Sequence, residues 1–142
     1  MRIDDRLVIE AMCASWAAGD LDGVMQGFFK DVRFAVGGLG ASNSFMKSGQ
    51  GRIILRNRLS LLLSEFEIAR FQPVQIVREE GPWLHTRAHY HYVHRRSGLE
   101  IDGTMRNNCC MIGGRIVRYQ VVHDTARMAA FIELARRSIA EV

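Results

Sequence analysis

Apolar residues recur at three- and four-residue steps through the first part of the chain. Val8, Ile9, Met12, Cys13 and Trp16 form one stripe between Asp5 and Ala18, which predicts an amphipathic helix, and Gly19 is placed to stop it. Asp20 can cap a second short helix carrying Leu21, Val24, Met25, Phe28 and Phe29. A short strand comes next over Asp31–Val36, with Val32, Phe34 and Val36 on one face. The Gly- and Ser-rich stretch from Gly37 to Gly51 reads as a loop, and its Phe45-Met46 pair suggests that it folds back over something apolar. A third helix is predicted from Gln50 to Ser64.

After that helix the period changes from 3.6 to 2. Four strand-like segments come in succession, over Glu67–Glu79, Trp83–Arg95, Glu100–Ile112 and Arg115–His123, separated by Glu80-Gly81-Pro82, Ser97-Gly98 and Gly113-Gly114. A last helix, Thr125–Ile139, starts after Asp124, which can cap it; Met128, Phe131, Ile132, Ala135 and Ile139 supply its apolar stripe. Helices followed by long consecutive hairpins predict an α+β domain with helices on one face of an antiparallel sheet. Strands this long twist and bend, which favours a curved sheet with a concave side. Neither a repeat nor a linker divides residues 1–142, so a single domain is expected.

Composition narrows the classes. The chain has 142 residues, 48% hydrophobic and 24% charged, enough for one real core and close to a soluble globular average. Its apolar runs fall far short of the roughly 20 residues that span a bilayer, and the charged N-terminus does not read as a secretory signal, so the cytoplasm is the expected location. The net charge of +4 rests on 17 Arg and 2 Lys among 19 basic residues. They are scattered and lack a neighbouring run of stacking aromatics, so a nucleic-acid partner is not expected. Cys13, Cys109 and Cys110 lack zinc-type or Cys-x-x-Cys spacing and read as reduced thiols; no cofactor motif is present.

The phrases Trp16-Ala17-Ala18-Gly19-Asp20-Leu21-Asp22-Gly23, Asp31-Val32-Arg33-Phe34, and Gly114-Arg115-Ile116-Val117 through His123-Asp124-Thr125-Ala126 carry a resemblance. In this order they resemble the nuclear transport factor 2-like superfamily, also called the SnoaL-like or ketosteroid-isomerase-like fold, over nearly the whole chain. The resemblance implies a cone-shaped curved antiparallel sheet with N-terminal helices over its concave face, a cavity between them, and a homodimer through the convex face. It does not imply one function, because the fold hosts isomerases, cyclases, dehydratases, epoxide hydrolases and non-catalytic binders.

Strand alternation then sorts the faces. Leu84, Thr86, Ala88, Tyr90 and Tyr92 are expected inward, as are Ile101, Gly103, Met105, Asn107, Cys109 and Met111, and Val117, Tyr119, Val121 and His123. The opposite set, with His85, His89 and His91 and with Ile116, Arg118, Gln120 and Val122, is expected on the convex face. His89 and His91 share a face at a spacing able to hold a metal, with Asp102 as a third donor, but a polar hydrogen-bonded interface explains them without one. No metal is expected.

The resulting candidate ligand contacts are Trp16, Phe34, Tyr92, Met105, Asn107 and Tyr119. By the resemblance, the steroid-isomerase base position is occupied by Val36 and its Tyr position by Met12, with no carboxylate near Met105, Arg106 and Asn107. The epoxide-hydrolase Asp-Arg-Asp positions hold Ala88, Tyr90 and Val121. Neither chemistry is therefore expected. His123 remains as an acid or base, with Tyr90 as proton donor or carbonyl partner and Asn107 facing a developing oxyanion. Three readings stay open: an isomerase, cyclase or dehydratase on a hydrophobic cyclic metabolite, a non-catalytic binder of a hydrophobic small molecule, and a dimerising module without chemistry.

Overall fold

The computed structural model describes residues 4–37, 48–78, 81–122 and 125–140. His123, Asp124 and the Phe45-Met46 pair lie outside the described residues. The elements run α1 (Asp5–Ala17), α2 (Leu21–Met25), β1 (Phe28–Gly37), β2 (Gly49–Gln50), α3 (Arg52–Glu65), β3 (Phe66–Arg78), β4 (Trp83–His94), β5 (Glu100–Ile112), β6 (Arg115–Val122) and α4 (Thr125–Ala140). One curved open sheet has the order β2-β1-β6-β5-β4-β3. All neighbours are antiparallel except β1 and β6, which pair in parallel.

The start of the chain forms as its caps dictate. Asp4 accepts a hydrogen bond from the Arg6 amide and Asp20 from the Gly23 amide, capping α1 and α2. Phe28 and Phe29, expected on α2, belong instead to β1. The helix ends at Met25, and the Gly27 carbonyl accepts from the Ile116 amide at 2.8 Å, so pairing with β6 captures the next residues. Phe28 is buried and Phe29 exposed, as strand alternation requires. The expected loop before α3 also contributes β2, which pairs with Arg33 and Phe34.

The inward set on β4 is as alternation expects. Leu84, Thr86, Ala88, Tyr90 and Tyr92 are all buried, and the ladder to β5 runs unbroken from Trp83 opposite Cys110 to Val93 opposite Glu100. One placement on β6 is corrected: Ile116, expected on the convex face, is fully buried. The register between β5 and β6 shifts between Cys110 and Met111, setting Ile116 opposite Met111, and such a bulge reverses the parity of the residues beyond it. Two further register shifts bend β3, an edge strand able to accept Pro73 without a ladder donor.

The helices cover the concave side. The α1 stripe of Ile9, Met12, Cys13 and Trp16 is buried in one core cluster with Phe28, Phe34, Phe66, Tyr92, Cys109 and Ile116. The indole N–H of Trp16 donates to the Tyr92 hydroxyl at 3.1 Å, tying α1 to the C-terminal end of β4. On α4, Met128, Ile132 and Ala135 are buried, and Phe131 stacks on Phe66 with ring centroids 6.2 Å apart. On the convex side the histidines meet cross-strand neighbours: His85 bonds Asn108, and His89 Nδ1 lies 3.0 Å from Thr104 Oγ1. His91 Nε2 lies 2.9 Å from Glu100. Among the described residues, no group of three or more His, Cys, Asp or Glu is arranged to hold a metal ion.

Candidate functional site

A cavity of about 100 Å³ lies between the concave face of the sheet and the helices. Each element contributes through its inward period. Helix α1 supplies Met12, Cys13 and Trp16, and α3 supplies Leu55, Arg58, Leu59 and Leu62 at helical spacing. Alternate strand positions bring Phe34, Tyr92, Met105, Asn107, Tyr119 and Val121, and α4 closes one side with Met128. All six expected ligand contacts, Trp16, Phe34, Tyr92, Met105, Asn107 and Tyr119, therefore lie on one wall system.

Tyr90 is placed differently. It is 5% exposed and its ring centroid is 4.8 Å from that of Tyr92, but it does not line the cavity. Its hydroxyl sits over Gly103, where an added Cβ would lie 2.8 Å from that oxygen and 2.9 Å from Arg127 Nη1. Glycine at 103 is what leaves room for the Tyr90 phenol under α4.

The wall is electrostatically quiet. Among its described residues the ionisable groups are Arg58, Cys13, Tyr92 and Tyr119, with no carboxylate or imidazole. Burial pushes the Cys13 thiol up to about 11, with the Glu10 charge adding to it, and holds the Tyr92 and Tyr119 phenols well above their ordinary range. These groups stay neutral at physiological pH. Arg58 is the charged exception: its guanidinium lies 5.9 Å from the Phe34 ring centroid, over its face. Among the described residues the carboxamide oxygen of Asn107, on a side chain 2% exposed, has no hydrogen-bond partner.

Two features escape the sequence reading although signals for both exist. Arg58 shares a helical face with Leu55, Leu59 and Leu62, so its position on the cavity wall follows from spacing alone. His94 has the same parity as Tyr90 and Tyr92, and is 1% exposed. Its Nε2 lies 2.9 Å from Glu65 Oε2 and its Nδ1 2.8 Å from Ser97 Oγ. Glu65 also accepts from Arg136 Nε at 3.0 Å and Nη2 at 2.7 Å. Burial alone would raise the Glu65 carboxyl, but the hydrogen bonds and charges of Arg136 and His94 outweigh it and hold the group below its ordinary value. This cluster clamps α4 and the β4–β5 turn to the end of α3, apart from the cavity.

The sequence matches no protein-family model and no curated relative. Solved structures, in contrast, superpose over most of the chain. A structure of TerC co-crystallised with polyporic acid has a TM-score of 0.78 at 18% identity, covering 91% of this chain and 98% of that one. A nuclear transport factor 2-like protein of unknown function from Burkholderia pseudomallei gives 0.77 at 16% identity, covering 91% and 97%. A protein designated a polyketide cyclase from Xanthomonas campestris gives 0.71 at 17% identity, covering 89% and 94%. Identities this low speak for architecture and not for chemistry. The chain therefore has the fold of the nuclear transport factor 2-like proteins, the architecture also seen in SnoaL-like and ketosteroid-isomerase-like structures.

Proposed function

We propose that the chain binds a compact, hydrophobic cyclic small molecule in the cavity between its sheet and its helices. The observation that carries this is the wall itself: aromatic and aliphatic side chains from nine elements converge on one void, with Arg58 and a single buried amide among them. Size limits the occupant. A dry cavity of about 150 Å³ accepts benzene, so one of about 100 Å³ takes at most a single ring, and takes it as Met12, Met105 and Met128 give way. The test is thermal: saturating toluene raises the melting midpoint by selective binding to the folded state, and Leu59→Trp, which fills the void, removes the rise. An unchanged midpoint at saturation contradicts the proposal.

A second reading adds proton transfer in the same cavity, as in an isomerase, cyclase or dehydratase, with His123 as acid or base and Tyr90 as proton donor. The likeness to a protein designated a polyketide cyclase favours it. The position of Tyr90 behind the wall, and the lack of a carboxylate or imidazole among the described lining residues, favour binding alone. His123→Ala and Tyr90→Phe separate the two once a substrate is in hand: turnover that survives both changes removes the catalytic reading. We also propose a homodimer through the convex face, where His85, Asn108 and Gln120 form a polar row across three strands. Sedimentation showing only monomer at micromolar concentration contradicts that assembly.

A further inference from the structure

The polar spot in the cavity wall says more about the occupant than its size does. Thr86 on β4 stands directly opposite Asn107 on β5. Both residues are 2% exposed. Among the described residues, neither Thr86 Oγ1 nor Asn107 Oδ1 has a hydrogen-bond partner. Leaving one buried polar atom unpaired costs about 1–3 kcal/mol, and native cores keep few such atoms. Two on adjacent strands, one of them in the wall of a void, mark a place where a ligand completes the bonding.

The chemistry of the open atom sets the ligand class. A carboxamide oxygen accepts and cannot donate, so the group that satisfies Asn107 must bring a proton. A ketone, ether or carboxylate has none to give, and would leave two acceptors facing each other in an apolar enclosure.

We infer that the cavity selects a hydroxylated single ring, a phenol or cyclic enol, which donates its O–H to Asn107 Oδ1, and that Asn107 is the specificity-determining residue. The inference rests on the binding function proposed above, and its test separates the two. Phenol and toluene have the same number of heavy atoms and differ by hydroxyl against methyl. Their dissociation constants are measured by calorimetric titration of the full chain and of Asn107→Leu, which keeps the shape and removes the oxygen. The wild-type chain is expected to bind phenol at least as tightly as toluene. In Asn107→Leu the phenol-to-toluene ratio of dissociation constants is expected to move toward toluene by about tenfold or more. Toluene bound more tightly than phenol, by the same ratio in both proteins, overturns the inference and leaves the binding function standing. Failure of both compounds to bind wild type overturns the binding function and the inference with it. Should Asn107→Leu not fold, wild type decides alone: phenol weaker than both toluene and fluorobenzene, neither of which can donate, overturns the selection of a hydroxyl.

Discussion

Glu65→Ala tests the physical account of how α4 is held. In the wild-type chain the Glu65 carboxylate meets His94 Nε2 at 2.9 Å and Arg136 at 2.7 and 3.0 Å. The His94 side chain is 2% exposed, so removing its acceptor strands a buried polar nitrogen at a cost of about 1–3 kcal/mol. Arg136 is more than half exposed, and its pair contributes at most about 1 kcal/mol. The two together come to about 1–4 kcal/mol, a fall of roughly 3–15 °C in melting midpoint for a domain of this size. Glu65→Gln keeps an acceptor for His94 and loses only the charge, so its cost should be about 1 kcal/mol. The pH dependence follows from the depressed carboxyl. Its folded value lies below the ordinary 4.5, so the charge stabilises fully above that value and the benefit is lost as pH falls through the folded one. Calorimetry from pH 7 to pH 3 should show the gap between wild type and Glu65→Gln constant at neutral pH and closing in acid. Glu65→Ala melting within about 1 °C of wild type, or a gap that widens in acid, refutes the reasoning.

Three further outcomes are expected from the core and the wall. Tyr92→Phe removes the acceptor of the buried Trp16 indole N–H and should cost about 1–3 kcal/mol in urea unfolding, whereas a loss within error would show that the bond is not made. Gly103→Ala sets a methyl against the Tyr90 hydroxyl and Arg127, and should cost about 1–3 kcal/mol by overpacking; a neutral result would mean that α4 yields freely. Cys13 and Cys109 are buried, with their thiols raised mainly by desolvation, so iodoacetamide at pH 8 should leave both unmodified in the native chain and label both in urea. Native labelling of Cys13 as fast as in urea contradicts the enclosure.

The sequence is most legible where its period is local. The even positions of β4 and the odd positions of β5 face inward as alternation requires, and that alone brings Tyr92, Met105 and Asn107 to one wall. It fails where distant pairing decides. Val24, Met25, Phe28 and Phe29 have helical spacing, yet the parallel ladder to β6 takes Phe28 and Phe29 into a strand. Ile116 changes face because the bulge between Cys110 and Met111 resets the parity, and no periodicity predicts where a ladder slips. The clamp of Glu65, His94 and Arg136 joins three elements far apart in sequence, so only the tertiary fold reveals it. The open oxygen of Asn107 is legible in part: alternation turns it inward, but whether it finds a partner depends on every neighbour at once.

The central claim is that the void enclosed by α1, α3, α4 and the sheet binds a small hydrophobic ring. Three of its wall residues are methionines, whose methyl groups report contact directly. In a spectrum of the chain carrying ¹³C-methyl methionine, added toluene should shift Met12, Met105 and Met128 together and saturably. Met25 and Met111, buried outside the cavity wall, should stay in place. No movement of the three wall methyls at saturating toluene, or equal movement of Met25 and Met111, would contradict a binding site in that cavity.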